Sequence, residues 1–166
     1  MRLSKRWFLA VPAVLVAVFA TAAFADHGRG HGGNRNGKLL EARLVGSQLS
    51  DPAIHGVTRG GVPWDGGGRA TLGRHGRFEA RIRGLIVSGT DNADGVTSIQ
   101  ISLFCAPDSD AAPAFTTGSV PLSPRGNARV RQHVTVPARC LAPVLLVHPN
   151  GNLTRYIAAT GFTLGG

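Results

Sequence analysis

From residue 39 onward the chain alternates between apolar and polar positions. In KLLEARLVGS, Leu40, Ala42 and Leu44 are separated by Glu41 and Arg43. Ala70 and Leu72 precede the segment GRHG, and Phe78, Ala80 and Ile82 follow it, interleaved with Arg77, Glu79, Arg81 and Arg83. Successive side chains of a strand point to opposite faces, so each run predicts a strand with one dry face and one wet face. Four residues ending in Gly between two such runs predict a hairpin. Further on, Ile99, Ile101, Leu103 and Cys105 share a face in VTSIQISLFC. In ARVRQHVTVP, Val130, Val134 and Val136 face inward while Arg129, Arg131, His133 and Thr135 face outward. PVLLVHPNGNLTRYIAATGF predicts a second hairpin around Asn150 and Gly151, with Leu145, Val147, Tyr156, Ala158 and Phe162 as its core. No helical period is sustained anywhere in these runs.

Turn-forming residues punctuate the strands in SDPAIHGVTRGGVPWDGGG, SGTDNADG, APDSDAAPA and SPRGN. The first of these predicts a loop, with a short extended piece at Ile54 to Val57. Seven to nine short antiparallel strands result, and the fold expected is an all-β sandwich, immunoglobulin-like or related. A β-barrel is the alternative, because strand number does not decide closure. Trp64 sits among glycines in GGVPWDGGG, where it either lines a sugar- or peptide-binding groove or caps one open end of the core.

The first 25 residues have a different character. Arg2, Lys5 and Arg6 precede an apolar run from Trp7 to about Ala20, and Ala23-Phe24-Ala25 follows it. That is the layout of a secretory signal peptide cut after Ala25; an uncleaved anchor is the rival, and Pro12 and the Ala-x-Ala exit favour cleavage. Residues 26–38, DHGRGHGGNRNGK, offer no apolar side chain to a core and read as a flexible tail. Residues 39–166 form the β-domain, and no second apolar stretch approaches spanning length, so no transmembrane segment is expected in the mature chain. The expected location is extracellular or in the cell envelope.

Charge and cysteines refine this picture. The full chain carries a net charge of +9; without Arg2, Lys5 and Arg6 it keeps 15 basic against 9 acidic side chains, or +6. The excess is clustered. Residues 69–83 hold five Arg and one Glu, residues 125–139 hold four Arg and no acid, and residues 91–110 hold four Asp and no Lys or Arg. If the two arginine-bearing strands are neighbours, Arg77, Arg81, Arg83, Arg129 and Arg131 make one anion-binding face; otherwise they form a solvated surface paired with the acidic loops. Cys105 and Cys140 are the only cysteines, which in an oxidising compartment predicts one disulfide.

The remaining candidate chemistry is sparse. His27 and His31 lie on the Gly-rich tail, where a weak copper or zinc site is the functional reading and a solvated linker the ordinary one. The loop TDNADG places Asn92, Asp94 and Gly95 at calcium-loop positions, but Thr90 and Ile101 stand where the opening and closing carboxylates belong. Asp91 and Asp94 therefore read as Asx-turn residues first and ion ligands second. No Gly-x-Ser-x-Gly, His-Glu-x-x-His or phosphate-binding loop occurs, and no cofactor is implied.

The succession Gly60-Gly61-Val62-Pro63-Trp64, Cys105-Ala106-Pro107, Val120-Pro121-Leu122-Ser123, Cys140-Leu141-Ala142-Pro143 and Tyr156 to Phe162 resembles a group of uncharacterised secreted bacterial proteins. That resemblance implies an exported, disulfide-closed β-domain and brings no activity with it. Neither the metal-binding histidine cluster of copper-zinc superoxide dismutase nor the histidine motif of the chordin-type domain is present. The function expected is non-catalytic binding of an anionic cell-envelope polymer or a protein partner. Nucleic acid is disfavoured by the compartment and by the scarcity of aromatic stacking platforms. A metal-binding extracellular protein and an enzyme of unknown reaction are the alternatives.

Overall fold

The computed structural model describes residues 37–106 and 112–162. Eleven strands follow in chain order: β1 (Lys38–Gly46), β2 (Thr58–Arg59), β3 (Trp64–Gly73), β4 (Arg77–Val87), β5 (Ser98–Phe104), β6 (Phe115–Thr116), β7 (Val120–Pro121), β8 (Ala128–His133), β9 (Val144–Pro149), β10 (Arg155–Tyr156) and β11 (Ala158–Thr160). Among the described residues there is no helix, so none is long and apolar enough to cross a membrane.

One antiparallel sheet runs in the order β6-β5-β9-β11-β1-β3-β4-β8, with β7 also on the outer edge of β5. The two ends of this path come together. A tight turn, with Gly126 N–H donating to the Ser123 carbonyl at 2.8 Å, leads the chain from β7 into β8. The Gln132 side chain of β8 then accepts from Gly118 N–H at 2.8 Å and donates to the Gly118 carbonyl at 3.2 Å. Closure at this seam is made by a side-chain amide where a backbone ladder would otherwise run. The all-β, antiparallel expectation holds for this curled, barrel-like sheet, while β2 and β10 form a separate two-stranded parallel pair.

The alternation explains the core. Phe78, Ala80 and Ile82 are buried while Arg77, Arg81 and Arg83 are exposed, so the hairpin around GRHG forms as its pattern predicts. Leu44, Leu72, Leu85, Ile99, Ile101, Leu103, Val130, Leu145 and Val147 join them in one cluster. Each fully buried side chain of this size contributes roughly 1.5–3 kcal/mol. The Cys105–Cys140 disulfide is present and ties the end of β5 to the segment preceding β9.

Three features depart from the period-two reading. Trp64 is not a loop residue: it opens β3, packs into the core at 4 % exposure, and the glycines after it continue the strand. Phe162 lies beyond β11 and is 73 % exposed, so it contributes nothing to the core. Leu145, Leu146, Val147 and His148 are all buried, because β9 is covered on both faces. A second cluster of Val57, Phe104, Leu146, Tyr156 and Ala159 forms the outer cover. The Tyr156 hydroxyl fastens it by donating to the Pro52 carbonyl at 2.6 Å.

Candidate anion-binding face

Strand order decides where the arginines go. β1, β3, β4 and β8 are consecutive neighbours, and their registers place Arg43 opposite Arg69, Arg69 opposite Arg81, and Arg81 opposite Arg129. Directly opposed side chains of an antiparallel pair have Cβ atoms about 4.5–5.5 Å apart. Four exposed guanidinium groups therefore form one row across four strands. Two of them, Arg81 and Arg129, belong to the set expected from the sequence. Arg43 and Arg69 do not, although both sit on the wet phase of their strands.

The rows on either side differ in character. On one side Glu41, Thr71, Glu79 and Arg131 stand in register. Glu41 is bound by Lys38 at 2.7 Å and Glu79 by Arg77 at 2.9 Å, and these are the two ion pairs among the described residues. The Lys38 bond, then its charge, holds the Glu41 carboxyl below the usual carboxylate range. Arg77 is thus engaged with Glu79 at the margin of the face. On the other side Val45, Gly67 and Arg83 are in register. Gly67 presents no side chain, and a hollow of about 610 Å³ opens there, lined by Arg43, Arg69, Arg81 and Arg83 around a floor of Gly66 to Gly68.

Only glycine can occupy position 67. Its φ of 147° lies in a region L side chains rarely adopt, and a Cβ would run into the Leu44 carbonyl. A register shift between Asp65 and Gly67 marks a bulge at the same place, so the hollow is part of the strand geometry.

Like charges directly opposite one another are destabilising in a sheet. The Arg129 guanidinium shows this crowding: desolvation lowers its proton affinity first, Arg131 and Arg81 lower it further, and Glu79 opposes them. A row of cations without bound carboxylates is a surface whose repulsion an arriving anion would relieve.

The other expected sites resolve differently. Asp91 accepts from the Asn92 amide at 3.3 Å, and Asn92 Oδ1 accepts from Asp94 N–H at 2.8 Å, an Asx-type turn. Among the described residues no group of three or more His, Cys, Asp or Glu side chains gathers where it could hold a metal ion. His27 and His31 lie outside the described residues.

A hydrogen-bonded chain that the sequence reading did not single out lies on the covered face of β5 and β9. His148 Nδ1 is 2.8 Å from the Arg155 carbonyl, and its Nε2 is 2.9 Å from Ser102 Oγ. A carbonyl only accepts, so Nδ1 carries the proton and Nε2 receives the Ser102 hydroxyl. Ser102 Oγ is also 2.8 Å from Thr116 Oγ1. Hydroxyl, imidazole and orienting oxygen are disposed as a nucleophile, its base and its anchor would be. Both Ser102 and His148 are only 1 % exposed, however, and a substrate has no approach to the hydroxyl. The chain is a buried strut that satisfies the polar groups under the cover.

No protein-family model, curated protein or solved structure matches this chain.

Proposed function

We propose that this protein is a non-catalytic, secreted or cell-envelope-associated β-domain that binds an anionic surface polymer through its arginine face. The observation carrying this reading is the in-register row Arg43, Arg69, Arg81 and Arg129. Guanidinium groups offer paired N–H donors matched to carboxylate and phosphate oxygens, and several in a row favour a polymer over a single ion. The leader-like first 25 residues and the disulfide support export, since such bonds persist in oxidising compartments.

The test is retention of the mature protein on an immobilised anionic cell-wall polymer. Replacing Arg69 and Arg81 together by Gln should weaken binding by about tenfold or more, given what charge-assisted hydrogen bonds contribute. The same substitutions leave core packing untouched, so circular dichroism should be unchanged. Undiminished retention of the double variant refutes the face as the binding surface.

A further inference from the structure

The curled sheet has two ends, and they differ in charge. At one end Lys38 stands opposite Gly73, Arg77 opposite His133, and Phe104 opposite Val144. The far end carries Asp51, Asp65, Asp91 and Asp94, which are all the aspartates among the described residues. At the Lys38 end the described carboxylates are Glu41 and Glu79, and Lys38 and Arg77 hold them. Arg74 and Arg139 are exposed at this end and have no ion pair among the described residues.

The same end exposes large apolar side chains. Leu39 is 47 %, Leu141 52 % and Phe162 73 % exposed. Leu141 N–H donates to the Cys105 carbonyl at 3.1 Å, which fixes it just beyond β5. Gly161 N–H donates to the Arg43 carbonyl at 3.1 Å, which carries Phe162 along β1 toward Lys38. A hollow of about 230 Å³ opens here, lined by Leu39, Leu40, Val136, Pro137 and Pro143 with Arg139 at its border. A second hollow, of about 510 Å³, adjoins it through the consecutive residues Lys38 and Leu39 and is lined by Arg74, His75, Arg77, Glu79 and His133.

Single exposed apolar side chains are ordinary on a surface, but several gathered at one end and rimmed by cations mark an interaction surface. Leu49 and Leu153 are also exposed, at the far end, but the aspartates there repel an anionic surface. A second copy docked end to end would set Arg74 and Arg139 against like charges. A bilayer of anionic phospholipids supplies phosphates for the cations and an acyl boundary for the apolar groups.

We infer that this end of the sheet docks on an anionic phospholipid surface, with Leu141 and Phe162 dipping into the boundary between headgroups and acyl chains. Arg74 and Arg139 then meet the phosphates. The contact uses none of Arg43, Arg69, Arg81 and Arg129, so it stands apart from the anion-binding reading above.

The experiment is co-sedimentation of the mature protein with vesicles of phosphatidylglycerol and phosphatidylcholine, beside vesicles of phosphatidylcholine alone. Binding should require phosphatidylglycerol. Leu141→Ser combined with Phe162→Ser should weaken it by about tenfold or more, since two apolar groups no longer leave water. Leu49→Ser combined with Leu153→Ser makes the same change at the far end and should leave binding unaltered. In separate variants, Phe162→Trp should shift its emission to the blue on vesicle binding, and Leu153→Trp should not. Equal losses from the two serine pairs, or no blue shift from Phe162→Trp, overturn the docking geometry. Binding that ignores both serine pairs but is lost when Arg69 and Arg81 are replaced by Gln overturns this inference and leaves the anion-binding reading standing. So does retention on the cell-wall polymer without any vesicle binding; if neither is bound, both fail. Self-association that Leu141→Ser and Phe162→Ser abolish, with no vesicle binding, assigns this end to a second copy and overturns the inference.

Discussion

The buried His148 makes acid stability a one-proton measurement. Its imidazole is 1 % exposed and neutral, and desolvation holds its proton affinity below the ordinary histidine value, partly opposed by the bond to the Arg155 carbonyl. The hydrogen-bond partners would tolerate a second N–H, because the Ser102 hydroxyl can turn and accept. What resists the proton is loss of water. The sign follows from linkage. Above a pH of about 6.5 both folded and unfolded chains hold a neutral His148, and its contribution is complete. As pH falls below that, the unfolded chain binds a proton the folded chain refuses, and stability is lost until the lowered folded value is reached. One proton gives a slope of at most about 1.4 kcal/mol per pH unit. Between pH 7.5 and 5.5 the loss is at most about 1.4 kcal/mol, or at most about 5 °C in Tm for a domain of this size. The assay is denaturant unfolding of the wild-type protein and His148→Asn across that interval. Asn keeps a donor for the Arg155 carbonyl, so the variant should fold, more weakly at neutral pH but with a flatter pH dependence. Parallel pH slopes for the two proteins would refute the reasoning.

Two further outcomes follow from features of the sheet and its cross-link. Arg81→Gln removes a charge that faces Arg69 and Arg129 in register, so at low salt it should raise Tm by about 1–2 °C, with the gain shrinking as salt screens the row; a fall in Tm at low salt would show that the arginines are not mutually repulsive. Replacing Cys105 and Cys140 together by Ala frees a separation of 35 residues and should cost roughly 4 kcal/mol by chain entropy, read as a lower denaturation midpoint with a raised m-value, because the unfolded chain expands. A midpoint within experimental error of wild type would show that the cross-link does not restrict the unfolded chain.

How much was legible beforehand differs from strand to strand. Phe78, Ala80 and Ile82 announce their strand because β4 has one dry and one wet face, and period two encodes that state directly. β9 was harder, since Leu145 to His148 are buried on both faces and leave no alternation to mark which residues face the main core. The cover responsible comes from Val57, distant in sequence, and from Tyr156, which folds back after the turn that follows β9. WDGGG read as a loop because glycine is the common currency of turns and of bulged strands, and nothing local separates the two. The arginine row was half visible. Arg81 and Arg129 stand out within their basic segments, whereas Arg43 sits in an ordinary amphipathic strand whose other cation, Lys38, pairs with Glu41. Its place in the row depends on β1 lying next to β3, and strand order is a property of the whole fold.

The position of β1 has a consequence for how the protein is made. Its two neighbours are β3 and β11, so Leu44 pairs with Gly68 on one side and Thr160 on the other. The second pairing joins strands from opposite ends of the domain, and such long loops close slowly. The sheet cannot be completed until β11 has been synthesised and has returned to β1. Until β11 is available, β1 keeps one edge unpaired, and the chain stays short of its finished sheet.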